Sequence, residues 1–182
     1  LDDALQAKEN IEAMLKKISE EMNVKFGEAF EKINANFQET FSDLFGGGKA
    51  ELVLTENLED PDEQGVDISV QLPGKSKGPL SRLSGGEQSL TAIAILFAIL
   101  KLKPMPFVVL DEVESALDEV NCNRFARFLR RYASTSKFVV ITHKKPTMEG
   151  ADALFGVTMA QPGVSSVLSV GLKDAVKHVW ED

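Results

Sequence analysis

Two carboxylates, Asp111 and Glu112, follow four consecutive apolar residues, Phe107 to Leu110. Such a run reads as a strand in the middle of a sheet, and open α/β folds bind ligands at the C-terminal ends of these strands. Paired carboxylates there cost desolvation energy unless a cation compensates. Mg²⁺ carried by a nucleotide suits the position, because it needs few protein ligands. Asp111 is the candidate for holding Mg²⁺ through water, and Glu112 the candidate base or orienter for an attacking water. A second constellation is Leu83-Ser84-Gly85-Gly86-Glu87-Gln88. Ser84 and Glu87 form a capping box, which alone only starts a helix. The two glycines inside that first turn weaken it by roughly 0.8–1 kcal/mol each relative to alanine. Their use is to let bare N–H groups approach an anion closely at the positive helix end. A hydroxyl, bare amides and a helix dipole suit a terminal phosphate. Ser115-Ala116-Leu117-Asp118 follows the acidic pair, and Thr142-His143 ends the next apolar run. Parallel strands would bring His143 to the sheet edge that carries Asp111 and Glu112, within reach of a γ-phosphate or the attacking water.

The elements that must position these residues are legible from periodicity. From Leu1 to about Phe45 there is no proline and one glycine, Gly27. Apolar or small residues recur at Ile11, Leu15, Ile18, Met22, Phe26, Ala29, Ile33, Phe37, Thr40 and Leu44. The average step of ~3.67 residues is an 11-residue repeat, and one unbroken helix of this length would reach roughly 65 Å. A single apolar stripe must be covered by something else. Phe26 to Phe45 is expected to lie on the chain's own domain, and the charged Leu1 to Met22 to be the end of a coiled-coil arm. Gly46-Gly47-Gly48 stops the helix. Ala50–Thr55 and Val66–Leu72 read as strands joined by a turn at Asp60-Pro61-Asp62. Ser84–Lys101 reads as a buried helix, since Leu90 to Leu100 is almost wholly apolar. Phe107–Leu110 and Phe138–Ile141 read as buried parallel strands. Between them Phe125, Phe128, Leu129 and Tyr132 mark the apolar face of a helix over 121–132. Leu154–Met159 and Val164–Val170 are expected as final strands. The alternation is α/β.

Composition narrows the class. The 182 residues suffice for one cored domain. The net charge of −8 argues against a simple basic nucleic-acid-binding domain. One cysteine, Cys122, permits no internal disulfide, and with His143 and His178 far apart it writes no zinc pattern. No charge-free apolar run reaches the ~18–20 residues that span a membrane, and no membrane partner is expected. The start, Leu1-Asp2-Asp3, lacks a signal peptide's basic n-region and also lacks a methionine, which suggests a piece of something longer.

A P-loop, G-x-x-x-x-G-K-[ST], would wrap the phosphates in successive N–H groups. Gly74-Lys75-Ser76 supplies its last three residues, but Ser69 stands where the first glycine belongs. Gly48-Lys49 fails with Asp43 and Ala50 at the outer positions. Both read as loops. Arg124, Arg127 and Arg131 share one side of the 121–132 helix, a stripe that is usually solvated but could meet nucleic-acid phosphates.

LSGGEQ, FVVLDEVESALD and VVITH, in this order and spacing, resemble the C-terminal half of an ABC ATPase head. Val113-Glu114-Ser115-Ala116 departs from transporters, which have proline after the acidic pair. Phe45-Gly46-Gly47-Gly48, DEVESALDEVN, ITHKKPTMEGAD and FGVTMAQPGVSSVLSV are similar to the bacterial SMC chromosome-organising proteins. Gln88 stands where those usually have Lys or Arg, and Lys144-Lys145-Pro146 varies a common Arg/Asn-Lys-Gly.

The resemblance implies an α/β fold, the C-terminal lobe of an ABC ATPase head with a mostly parallel sheet flanked by helices. Residues 1–45 would be a coiled-coil stub and the helix leading into the head, and 46–182 the lobe itself. It implies ATP and Mg²⁺ as cofactors. The partners would be an N-terminal SMC head lobe bearing the P-loop, a second head in an ATP-dependent homodimer, and a kleisin subunit on strands 164–172. DNA would be met through the full complex. Catalysis would rest on Glu112 and His143, metal binding on Asp111, and nucleotide contact on Ser84, Gly85, Gly86, Glu87 and Asp118. The protein would be an ATP hydrolase of chromosome condensation and segregation in the bacterial cytoplasm, at the nucleoid, inactive without the P-loop lobe. A coiled-coil ABC ATPase of DNA-break repair would share the fold and site. A kleisin-docking scaffold without catalysis is a third reading, and Glu112 and His143 speak against it.

Overall fold

A computed structural model describes residues 2–55 and 65–171. The Asp60-Pro61-Asp62 turn, Leu172 and His178 lie outside the described residues. The first helix, α1, runs unbroken over Asp2–Phe45. Its last turns carry the core: Phe37, Thr40, Phe41, Leu44 and Phe45 are buried, with Phe30 and Ile33 packed at the margin. The first turns leave Ile11, Leu15, Ile18, Met22 and also Phe26 exposed. Burial on the chain's own domain therefore begins about one turn later than the apolar stripe suggests.

Beyond α1, Gly46 takes φ +72° and the Gly47 N–H donates to Ser42 O at 2.8 Å, closing the helix end. The chain returns as β1 (Lys49–Thr55), β2 (Gly65–Gln71) and β3 (Gly78–Pro79), an antiparallel sheet in that order. Helix α1 seals the free backbone edge of β1. Asn34 exchanges hydrogen bonds with the Leu52 backbone, and Gln38 accepts from Ala50 N at 2.9 Å while donating to Gly48 O. Two amides one helical turn apart thus satisfy an edge that would otherwise invite pairing.

A 3-10 turn at Leu80–Arg82 leads into α2 (Gly85–Leu102). Helix α2 buries Leu90, Thr91, Ile93, Ala94, Phe97, Ala98 and Leu100, while Leu96, Ile99 and Leu102 remain exposed. Only one side of this apolar helix is covered, where the sequence suggested burial all round. By length and hydropathy alone α2 could cross a membrane; here it is the core helix, tied to α1 by Asn36 Nδ2 donating to Ala98 O and by a Lys101–Glu39 ion pair at 3.1 Å.

Strand β4 (Phe107–Asp111), helix α3 (Glu119–Tyr132) and strand β5 (Lys137–Ile141) form a βαβ unit, with β4 and β5 parallel and Asp111 opposite Ile141. Phe97, Phe128, Tyr132 and Phe138 meet edge-on and tilted, with centroids 4.9 to 6.0 Å apart. Cys122 is buried, and that burial pushes its thiol pKa up. A short helix α4 (Lys145–Glu149) and an antiparallel pair, β6 (Ala153–Gln161) and β7 (Val164–Gly171), complete the order.

The class is α/β with a long leading helix, and its sheets are mixed. Among the described residues the parallel character is confined to β4 and β5. These two strands are also not buried on both faces: Val108, Leu110, Phe138 and Val140 face the helices, whereas Phe107, Val109, Val139 and Ile141 are exposed. The apolar runs have a face for two layers, and the described chain supplies one.

Candidate active site

The C-terminal ends of β4 and β5 carry the acidic pair and the histidine. Glu112 has φ +47°, the one non-glycine residue with positive φ among those described. A left-handed conformation costs a β-carbon-bearing residue on the order of 1 kcal/mol and persists where neighbours fix it. Here its N–H donates to Ile141 O at 2.9 Å and its carbonyl accepts from Ser115 N at 3.0 Å. This turn aims the Glu112 side chain at the end of β5, where its Oε1 lies 3.3 Å from His143 Nδ1. Both side chains remain largely open to solvent. Parallel register thus brings Glu112 and His143 together from 31 residues apart.

Asp111 is exposed at the last position of β4, and its carboxylate has no hydrogen-bond or ion-pair partner among the described residues. Those residues hold no cluster of three or more His, Cys, Asp or Glu side chains able to cage a metal. Mg²⁺ that takes most of its ligands from phosphates and water asks for only one or two carboxylates. A free Asp111 beside Glu112 fits that donor set and would not fit a structural metal.

Helix α2 begins as its sequence dictates. Ser84 is the N-cap: its Oγ accepts from Glu87 N at 3.4 Å, and Glu87 Oε2 accepts from Ser84 N at 2.9 Å. Lys75 pairs with the other Glu87 oxygen at 2.9 Å. The Ser84 backbone N–H, followed by Lys75, holds the Glu87 carboxyl below its ordinary pKa. Both Glu87 oxygens are thus engaged within the chain. Gln88 N donates to Ser84 O, which leaves the Gly85 and Gly86 N–H groups as the unpaired donors of the first turn. Gly85 is open: a β-carbon there would meet nothing within 4 Å. Gly86 instead faces the chain after the acidic pair, where a β-carbon would lie 3.6 Å from Ala116 O and 3.8 Å from Asn121 Nδ2.

Asp118 caps α3, with Oδ1 accepting from Asn121 N at 2.8 Å. The resemblance implied nucleotide contact for Asp118, and the capping role was not foreseen. Gly74-Lys75-Ser76 is a turn after β2, as read, with Gly74 at φ +76° and Lys75 N donating to Leu72 O. The turn's role was missed, since Lys75 reaches the start of α2. Two further residues, Glu114 and Thr142, meet in a way the sequence did not show. Glu114 is completely buried, and its Oε1 accepts from the Thr142 hydroxyl. Three arginines of α3 have partners within the chain: Arg124 with Asn121, Arg127 with Asn123 O, and Arg131 with Asp43 of α1 at 3.9 Å.

The helix start with its two bare amides packs through Gly86 on the segment that links β4 to α3. The family described as RecF/RecN/SMC N terminal domain matches residues 1–166, and the chain belongs to that family. It is 50% identical over 181 residues to the chromosome partition protein Smc of Bacillus subtilis, covering 98% of this chain and 15% of that protein. The chain therefore spans about a seventh of the curated relatives it matches. A solved structure from work on ATP-driven dimerization and DNA-stimulated activation of SMC ATPases is 41% identical, with a TM-score of 0.76 over 85% of this chain and 92% of its own. The Smc head domain derived from Pyrococcus furiosus, solved with an extended coiled coil and bound to the C-terminal domain of ScpA, is 41% identical, with a TM-score of 0.74 over 93% of this chain and 42% of its own.

Proposed function

We propose that this chain is the C-terminal lobe of an SMC ATPase head, residues 46–182, entered by an arm helix over 1–45. It completes an ATP site together with a P-loop-bearing N-terminal lobe. The observation that carries this reading is the Glu112–His143 contact at the C-terminal edge of the parallel pair, beside an unpartnered Asp111. The motif order, the absence of G-x-x-x-x-G-K-[ST] from the sequence and the exposed apolar face of β4–β5 support the two-lobe arrangement.

In this reading Asp111 holds Mg²⁺, whose charge offsets that of the phosphates. Glu112 orients the attacking water and accepts its proton, and His143 steadies the γ-phosphate. Ser84 Oγ and the Gly85 and Gly86 N–H groups grip the γ-phosphate bound by a second, opposing head. Glu87 serves by holding Ser84 in place, since a carboxylate would repel phosphate. Asp118 meets the opposing head at the same interface. ATP binding engages two heads and hydrolysis releases them, reshaping the arms around DNA in chromosome condensation and segregation. A kleisin of the ScpA type would cover the exposed β6–β7 ribbon, whose Phe155, Val157 and Val167 lie bare on one face. The setting is the bacterial cytoplasm, at the nucleoid.

The experiment mixes the chain with the P-loop-bearing segment of an SMC head and measures ATP turnover, with Glu112→Gln as control. Turnover confined to the mixture and abolished by the substitution is expected. Turnover by this chain alone, or turnover unchanged in Glu112→Gln, would overturn the reading.

A further inference from the structure

Glu114 is fully buried, although Glu112, Ser115 and Ala116 around it are exposed. A buried carboxyl is costly unless its oxygens are satisfied. Only Oε1 is: it accepts from the Thr142 hydroxyl, while Oε2 has no partner. As a filler of this space an apolar side chain would do better, so the contact to Thr142 is what distinguishes a carboxyl here. Thr142 Oγ1 in turn accepts from Lys144 N at 2.9 Å. This local turn curls the backbone around His143, the residue between. The chain after β4 is thus fastened to the end of β5 twice, by Glu112 N to Ile141 O and by Glu114 to Thr142. Glu112 is one end of the first tie, and His143 directly follows Thr142, one end of the second.

We propose that Glu114 is a positioning residue that acts through Thr142 to hold His143 against Glu112. The proposal rests on the reading of Glu112 and His143 as the hydrolytic pair, but its geometry can be tested without turnover. Imidazole ¹⁵N–¹H spectra of the isotope-labelled chain report on His143, identified by its loss in His143→Gln. The His143 signals shift or broaden in Glu114→Ala and Thr142→Val, and return in Glu114→Gln, which keeps an oxygen acceptor, and in Thr142→Ser. Far-UV circular dichroism establishes that each variant is folded. If Glu114→Ala does not fold, Thr142→Val and Glu114→Gln carry the comparison.

In the ATP-hydrolysing mixture, Glu114→Ala and Thr142→Val lower kcat by about 10–100-fold, as misplacement of a reacting group does, with KM for ATP nearly unchanged. The double variant is no slower than the worse single one. Unperturbed His143 signals in folded Glu114→Ala or Thr142→Val would overturn the proposal, as would Glu114→Gln as damaging as Glu114→Ala. A silent wild-type mixture would count against the ATPase reading and leave the spectra to decide the positioning role.

Discussion

Gly86 lies in van der Waals reach of Ala116: a β-carbon added at the glycine would sit 3.6 Å from the Ala116 carbonyl oxygen. The start of α2 and the segment after the acidic pair therefore share a surface that only a very small residue allows. Gly85, one position earlier, faces open space.

That difference predicts opposite effects of substitution at adjacent positions. Neither glycine has positive φ, so alanine is conformationally acceptable at both. Gly85→Ala is expected to raise stability by about 0.5 kcal/mol through helix propensity. Gly86→Leu is expected to lower it by about 1–3 kcal/mol, because its side chain must displace Ala116 and Asn121. Urea denaturation checks both. In the ATP-hydrolysing mixture Gly85→Ala is nonetheless expected to reduce turnover, since its β-carbon occupies the open side where an anion would approach. A Gly86→Leu variant as stable as wild type would show that the two segments do not meet as described.

Glu87 gives the start of α2 a pH dependence with a definite sign. Its folded pKa is depressed below the ordinary 4.5, first by the Ser84 N–H and then by Lys75. A depressed carboxyl stabilises the fold above its unfolded pKa, and that contribution is lost as pH falls through the lower folded value. Glu87→Gln keeps the capping-box geometry but not the charge. The variant is expected to be less stable than wild type by about 0.5–1 kcal/mol at pH 7. That gap should close as pH drops below about 4.5. Denaturant titrations of both proteins between pH 3 and pH 7 measure it. A gap that widens toward low pH would contradict the depressed pKa.

The start of α2 was readable because its signals are local: Ser84 and Glu87 are three residues apart, and the same holds for the 121–132 helix with its 3.6-residue apolar face. The juxtaposition of Glu112 and His143 was readable because it needs only that two apolar runs pair in parallel. Glu114 was not. In a stretch as acidic as Asp111 to Glu119 each carboxylate reads as solvated, and burial of one of them depends on Thr142, 28 residues away. The half-covered β4–β5 sheet was illegible for a related reason. An apolar run shows that a face can be buried and is silent on which chain buries it. The α3 arginines form a stripe in sequence, but their partners Asn121, Asn123 and Asp43 tie them down individually. Strand β3 and the 3-10 turn are too short to have a period at all.

The end of α1 offers a last test, in which backbone conformation is held fixed and crowding varies. Gly46 and Gly48 both have positive φ, +72° and +90°. A β-carbon at Gly46 would touch nothing within 4 Å, whereas at Gly48 it would lie 2.4 Å from the Gln71 backbone oxygen and 3.2 Å from the Phe41 ring. The left-handed conformation alone costs a residue such as alanine about 1 kcal/mol, and that is the expected loss for Gly46→Ala. Gly48→Ala must also push β1 away from β2 at the point where Lys49 pairs with Gln71. It is expected to cost about 2–4 kcal/mol, a large share of the margin of a domain this size. Paired urea denaturation curves decide the matter. Equal losses would mean that β1 and β2 do not close tightly on α1, whereas the larger loss at Gly48 would locate the junction of α1 and the β1–β2 sheet at the Phe41–Gly48–Gln71 contact.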